Sequence, residues 1–423
     1  MAVDATAVPA DRGGVGRYVD ELLPALAAEG ADLVVVCQAH DLAHYAQLVP
    51  GADLCAAPAA AARIPVRLAW EQVGLARLAR RAGADVLHCP HYTMPLVPGL
   101  PVVTTLHDAT FFTHPEVHLP VKRRFFRTWT RISLARARRC ITPSAATRNE
   151  LVRVAGADPA RVDVAHLGVD PERFHVPTDD ERAAARAHLG IDGPYVAFLG
   201  TLEPRKNLPA LIRAWSTLPD APDLVLAGGR GWDEDVDRAA AQVPAGHRLH
   251  LPGYLPLELL AGFLGGAELV VYPSLGEGFG LPVLEAMACG APVLTTRVLA
   301  IPEIGGQAVA YTGTDEESIA TELAALLADP LDALLDRPVE VGRAIGPQPA
   351  QDGQKVAATI QPARWTEQVP KDAHTQCAAT SAGRIARKST SESAISHTSA
   401  AHAATFWLIC AGSILSRVSS AVW

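Results

Sequence analysis

Short apolar runs alternate with helix-forming stretches, and the alternation occurs twice along the chain. In the first half, apolar runs at 33–37, 86–88, 102–106 and 140–142 read as buried strands. Helical segments over 16–29, 66–82, 122–138 and 145–155 lie between or after them. A polar, helix-prone stretch at 179–190 follows, and then the pattern restarts. Strands are expected at 195–199, 224–227, 249–251, 269–272 and 292–296, and helices at 209–215, 257–264, 282–289 and 315–327. Continuous apolar strands separated by helices predict parallel sheets covered on both faces. The expected fold class is therefore α/β. Two Rossmann-like, doubly wound domains, 1–178 and 179–330, would face a central cleft and bind ligands at the carboxyl ends of their strands.

The alternation stops near Pro330. Residues 331–423 are rich in Ala, Ser, Thr, Gln and Arg and hold no sustained period of 2 or 3.6. This stretch reads as an irregular tail, either disordered or non-native through a change of reading frame.

Composition narrows the classes. The chain has 423 residues, 49% of them hydrophobic and 19% charged, which is ample material for globular cores. A net charge of −8 gives no general attraction to nucleic acid. The seven cysteines form no CxxC pair and several sit in apolar runs, so they read as reduced thiols of a cytoplasmic protein. The first residues lack the basic and apolar regions of a signal peptide, and no run of 18 apolar residues occurs.

The strongest chemical signal runs from Tyr272 to Val293, YPSLGEGFGLPVLEAMACGAPV. An apolar strand ends at Tyr272, a glycine-rich loop follows, and Pro282 opens a helix where its missing N–H is harmless. Gly278 and Gly280 let backbone N–H groups approach a ligand, and the helix N-terminus favours a phosphate. Glu277 in the loop and Glu285 in the helix can face one ligand, accepting hydrogen bonds from sugar and ribose hydroxyls. Read as a dinucleotide fingerprint the same glycines fail, because Leu281 stands where a third glycine is required. The plain alternative is a capped helix with two solvated glutamates.

A second strand enters the loop FLGTLEPRKN at 198–207. Arg205 and Lys206 suit a diphosphate there and would stabilise a departing nucleoside diphosphate, ahead of a helix capped by Asn207. As a bland alternative they are a surface pair. The loop DRGGVGRY at 11–18 places Gly14 and Gly16 at a helix N-terminus, open to an acceptor or a phosphate oxygen or serving only as a tight turn. His107 ends a strand, placed for polar contact with a substrate or for a structural role. His88 and His91 also lie at a strand end but lack further ligands at metal spacing, and no metal site is expected. Residues 122–139 carry eight basic side chains and no acidic one, interleaved with aromatics. They suit peripheral contact with an anionic membrane or form the basic face of a core helix.

These loops, in this order, resemble the group 1 (family 4) glycosyltransferases of the GT-B fold over roughly 1–328. Glu277 and Glu285 match that family's E-x7-E motif. The resemblance implies a retaining, metal-independent and cofactor-free transfer of a hexose, with mannose the favoured sugar. The donor would be a nucleoside-diphosphate sugar and the acceptor a glycan or a lipid-linked molecule. It implies that Arg205 and Lys206 bind the diphosphate. Glu277 with the backbone of Gly278, Phe279, Gly280 and Leu281 would hold sugar and phosphate. Glu285 would bind ribose, Tyr254 would flank the base, and Gly200 would belong to the same donor site. His107 would contact the donor sugar, and Gly14 and Gly16 would lie near the acceptor. Helices that brace the first domain in such enzymes have no counterpart after Pro330, so an inactive nucleotide-sugar-binding remnant is the alternative. The loop 299–303 also lacks serines often found in the family, leaving its donor contact open.

Overall fold

A computed structural model describes residues 1–9 and 12–328; the expectations for the tail at 331–423 lie outside the described residues. Thirteen strands form two sheets. They are β1 (Ala2–Asp4), β2 (Val34–Cys37), β3 (Asp53–Ala56), β4 (Leu87–Cys89), β5 (Val102–Thr105), β6 (Arg139–Thr142) and β7 (Val162–Val164), then β8 (Tyr195–Leu199), β9 (Asp223–Ala227), β10 (Leu249–Gly253), β11 (Leu269–Tyr272), β12 (Val293–Thr296) and β13 (Ala310–Thr312). The helices are α1 (Gly13–Ala28), α2 (Leu42–Leu48), α3 (Ile64–Trp70), α4 (Ala76–Arg81), α5 (Thr110–Thr113), α6 (Pro120–Arg136), α7 (Ala145–Ala155), α8 (Asp179–Leu189), α9 (Leu208–Ser216), α10 (Glu234–Ala240), α11 (Leu260–Gly265), α12 (Leu281–Ala288), α13 (Ile301–Gly305) and α14 (Glu316–Ala328).

The first sheet has the order β3-β2-β1-β4-β5-β6-β7, the second β10-β9-β8-β11-β12-β13. Every pairing is parallel. In each sheet the winding reverses once, between β1 and β4 and between β8 and β11. Crevices at the carboxyl ends of such strand pairs are where doubly wound folds take ligands.

Burial on both faces explains the apolar runs. Along β2, Val35 and Cys37 join the layer under α1 with Leu22, Leu23 and Leu26. Val34 and Val36 point to the other side, toward Leu75, Ala79 and Leu87. The second sheet has its own core, in which Trp215 of α9 and Phe263 of α11 are fully buried. Where the second half begins, the Thr178 hydroxyl accepts from the Glu181 amide while the Glu181 carboxylate accepts from Thr178. This reciprocal cap, with the left-handed Gly190 at the other end, fixes both limits of α8.

Three expectations change. The helix anticipated over 66–82 is three pieces, with a π-helical turn at Glu71–Leu75 between α3 and α4. Glu71 there is fully buried and accepts from the Thr93 hydroxyl at 2.7 Å. Gly14 and Gly16 lie in the first turns of α1 rather than in a loop. Asn207 does not cap α9: its backbone is left-handed (φ 56°) and its side-chain amide donates to the carbonyls of Pro273 and Thr314. No helix among the described residues is long and apolar enough to cross a membrane. Cys37, Cys55, Cys89, Cys140 and Cys289 are free thiols.

Candidate functional site

The two motifs singled out in the second half follow β8 and β11, the two strands at that sheet's winding reversal. The sheet therefore brings 198–207 beside 272–281 although about seventy residues separate them. Glu277 is the hub. Lys206 Nζ donates to its Oε1 at 2.7 Å, the Ser274 hydroxyl donates to the same oxygen at 2.9 Å, and the Arg205 guanidinium takes Oε2. Arg205 also donates to the Gly276 carbonyl at 2.7 Å and to Glu203 at 2.5 Å. Burial alone would push the Glu277 carboxyl up; Arg205 and Lys206 outweigh it and hold it down at about 2. Two cations thus converge on one point, already matched by carboxylates.

Gly280 opens α12 in the left-handed region (φ 100°), and a side chain on it would strike Ile301. The amides of Phe279 and Gly280 donate to no other described residue. They stand at the N-terminus of α12, where unpaired N–H groups suit an anion. One turn in, Glu285 is 1% exposed. Burial raises its pKa, opposed by Arg17 and more weakly by Lys206. Arg17 of α1 takes Oε1, while Oε2 is buried and accepts no hydrogen bond. A buried carboxylate oxygen without a donor costs free energy, so this one is poised for a hydroxyl.

The first sheet supplies the opposite wall. His107 follows β5; its Nε2 donates to the Pro90 carbonyl at 2.7 Å and its ring meets Tyr18 edge to face at 5.0 Å. Burial pushes its pKa down, so the ring is neutral and Nδ1 is an acceptor. His88 is turned inward to the Thr105 hydroxyl at 2.8 Å. Gly16 is buried against Arg12 and Val8, whereas Gly14 faces open space. Arg12 itself is bound to Asp20 and Asp41, which anchors the start of α1.

The two walls touch through the glycine-rich loop. The hydroxyls of Ser144 and Thr147, at the start of α7, donate to the Gly278 carbonyl at 2.7 and 2.9 Å. A side chain on Gly278 would fall 2.0 Å from the His107 carbonyl oxygen. Glu303, in the loop whose donor contact the sequence left open, reaches the first half instead. It accepts from the amides of Ala145 and Ala146 at 2.8 and 3.0 Å and from His166 at 2.6 Å. That arrangement is a carboxylate docked on a helix N-terminus.

Of the expected donor residues, Arg205, Lys206, Glu277, Gly278, Phe279, Gly280 and Glu285 meet in this one crevice. Gly200 follows β8 beside them, and a side chain on Gly228 would collide with its carbonyl. Leu281 is the first residue of α12. Tyr254 stands apart, exposed after β10 and lying over Gly229. Arg17 carries no local sequence signal of a role, because its partner lies 268 positions away. Four of the five non-glycine residues with positive φ among the described residues mark the same rim: Arg12, Tyr92, Asn207 and Leu299 lie after β1, β4, β8 and β12, while Asp220 lies between α9 and β9. Backbone strain of this kind concentrates at functional sites. Among the described residues, no group of three or more His, Cys, Asp or Glu is arranged to hold a metal ion.

Helix α6 divides its basic residues. Arg127 donates to the Phe111 carbonyl at 2.5 Å, and Arg131 lies over the Phe112 ring. Lys122 lies 5.0 Å over the Trp232 ring, reaching the second half. Arg124 is exposed, and so is Arg136, which also donates to the Leu96 carbonyl. Leu119 and Val121 are exposed at the same end as Arg124.

Family models match both halves of the chain. The family model Glycosyltransferase Family 4 matches residues 12–173, and the model Glycosyl transferases group 1 matches residues 181–344. O-antigen chain mannosyltransferase B of Escherichia coli is 36% identical over 214 residues, 49% of this chain and 55% of that protein. D-inositol 3-phosphate glycosyltransferase of Mycobacteroides abscessus is 38% identical over 161 residues, 36% of this chain and 35% of that protein. The chain thus matches about half the length of the first relative and a third of the second. Among solved structures, sucrose-phosphate synthase from Thermosynechococcus elongatus superposes with a TM-score of 0.63 at 22% identity, covering 78% of this chain and 90% of that one. The Anabaena protein HepE, solved with UDP-glucose, also gives 0.63, at 18% identity and covering 79% and 92%. These similarities establish the shared two-domain fold.

Proposed function

Because the chain belongs to the group 1 glycosyltransferases, we propose that it is a retaining enzyme that moves a hexose from a nucleoside-diphosphate sugar to a glycan or lipid-linked acceptor. Mannose is the sugar we favour, in keeping with the similarity to O-antigen chain mannosyltransferase B of Escherichia coli. The observation that carries the reading is the cluster at the β8–β11 crevice, where Arg205 and Lys206 converge on Glu277 and the open oxygen of Glu285 lies one helical turn away.

In this reading Arg205 and Lys206 take the donor diphosphate, and their charge stabilises the nucleoside diphosphate as it departs. Two fixed cations fill the place a divalent ion would otherwise take, so the reaction is proposed to need no metal and no cofactor. The amides of Phe279, Gly280 and Leu281 cradle phosphate oxygens, and Gly200 and Gly278 keep the walls bare enough for close approach. Glu277 accepts from sugar hydroxyls and His107 offers Nδ1 to another. Glu285 accepts from ribose and Tyr254 flanks the base. Gly14 and Gly16 border the acceptor. No second carboxylate stands as a nucleophile in this assignment. The leaving phosphate therefore departs from the face on which the acceptor attacks and receives the acceptor's proton. The exposed Arg124 and Arg136 of α6, with Leu119 and Val121, are proposed to rest on an anionic membrane that presents a lipid-linked acceptor.

The test is calorimetric binding of GDP, UDP, ADP and their hexose conjugates to the full chain, with Glu285→Ala as control. Selective binding of one nucleotide, lost in the variant, supports the donor site and names the base. Intact binding without turnover on any acceptor points to the inactive remnant. Absence of binding by every nucleotide sinks the reading. Co-sedimentation with phosphatidylglycerol vesicles, compared with neutral ones, tests the membrane contact.

A further inference from the structure

Glu285 lies on α12 of the second half, and the cation on it comes from α1 of the first. Lys206 also faces it, but its ammonium is taken up by Glu277 at 2.7 Å. The remaining titratable neighbours, Tyr272 from β11 and Cys289 at the end of α12, are both kept neutral by burial. Arg17 is therefore the cation that answers Glu285. Its guanidinium lies 5.4 Å over the Phe174 ring, which sets its height above the crevice without consuming its charge. It takes only one oxygen of Glu285 and leaves the other buried and open.

We propose that Arg17 is a positioning residue for nucleoside recognition: reaching across the cleft, it fixes one oxygen of Glu285 and aims the other at a ribose hydroxyl. The inference rests on the donor-site reading above. Its consequence is a coupling. The pair can form only when the two halves are closed, so a ligand that engages the open oxygen of Glu285 favours closure, and closure in turn sharpens the grip on ribose. Without Arg17, Glu285 keeps its burial and loses its principal counter-charge, so its carboxyl is pushed further up and holds a proton more readily. A protonated carboxyl carries its proton on one oxygen and is a weaker acceptor than the carboxylate. Ribose selection then weakens most at low pH and returns as rising pH ionises the group.

The experiment uses the full chain, the variants Arg17→Met and Arg17→Lys, and as probes GDP, UDP and ADP with their 2′-deoxy and 3′-deoxy forms, by calorimetry from pH 5.5 to 8.5. For whichever nucleotide binds, wild type should prefer the ribose form at every pH. Arg17→Met should bind it about tenfold more weakly at the acid end of the range and lose most of its preference over the deoxy forms, both losses shrinking as pH rises. Arg17→Lys should restore much of both. A nucleotide that binds wild type and Arg17→Met alike, with unchanged ribose preference across the pH range, overturns the proposal and leaves the donor site standing. Tighter binding in Arg17→Met overturns it as well, since Arg17 would then obstruct the site. If wild type binds none of the probes, the donor reading falls and this proposal falls with it.

Discussion

The two glutamates of one motif live in opposite electrostatic worlds. Glu277 receives two cations and a hydroxyl from its own half of the molecule, and its carboxyl is held at about 2. Glu285, one helical turn into α12, has a single cation, borrowed from the other half, and its pKa is raised. Both are buried. Burial is therefore not what separates them; the number and origin of their partners is. Glu277 belongs to a charge-balanced cradle built within one half, whereas Glu285 is paired across the halves and keeps one oxygen open.

The largest effect should come from Glu277→Ala. On the proposed donor-site assignment this removes a sugar contact, and turnover should fall by about 10³-fold or more. Binding of the bare nucleoside diphosphate should hold or tighten, because Arg205 and Lys206 lose the carboxylate that competes for them. Steady-state turnover beside calorimetry reads both; equal loss of turnover and diphosphate binding would erase the contrast with Glu285. Next comes Glu285→Ala, for which nucleotide affinity should drop by about 10- to 100-fold, as for loss of charge-assisted hydrogen bonds worth ~1.5–3 kcal/mol. A variant that kept full affinity but lost turnover would make the two glutamates alike.

The dependence of stability on pH should differ in sign. The Glu277 pKa falls from an ordinary 4.5 to about 2 on folding, so its ionised form contributes ~3 kcal/mol above pH 4.5, lost as pH falls toward 2. Glu285 is raised on folding, so its ionised form costs stability above its folded pKa, and the cost is relieved as pH falls toward 4.5. Denaturant titrations across this range should show Glu277→Gln losing stability near neutrality and converging on wild type in acid, while Glu285→Gln is as stable as wild type or more so near neutrality. The smallest effect should come from Glu303→Gln, which leaves α7 with a weaker acceptor and should weaken nucleotide binding by about two- to fivefold. An effect as large as that of Glu285→Ala would move the principal closure contact to Glu303.

The legible part of this molecule was the part written in consecutive residues. Runs such as Val34–Cys37 and Leu269–Tyr272 announce buried strands because both faces are covered. The β8 and β11 loops announce themselves by glycine, cation and carboxylate types at a strand's end. The edge strand β3 gave no such signal, since Asp53–Ala56 is only partly covered. The π-helical turn at Glu71 was hidden because a helical period tolerates one extra residue, and the hydroxyl of Thr93 that donates to Glu71 is remote in sequence. Arg17 and Glu303 were unreadable for the same cause: their partners are assembled by the fold. A cationic pair assigned wholly to a diphosphate proved to be already neutralised by Glu277 and Glu203, which single-residue reasoning cannot anticipate.

Gly278 sets a mechanical limit. With its α-carbon hydrogen against the His107 carbonyl and its own carbonyl seized by Ser144 and Thr147, backbone meets backbone where the halves join. The closest approach of the two walls is thus a hard stop made of peptide, and side-chain size does not adjust it. Residues lining the crevice can then be exchanged without altering the backbone contact that sets how close the halves stand. One methyl at position 278 would act as a shim, holding the gap open for every donor alike.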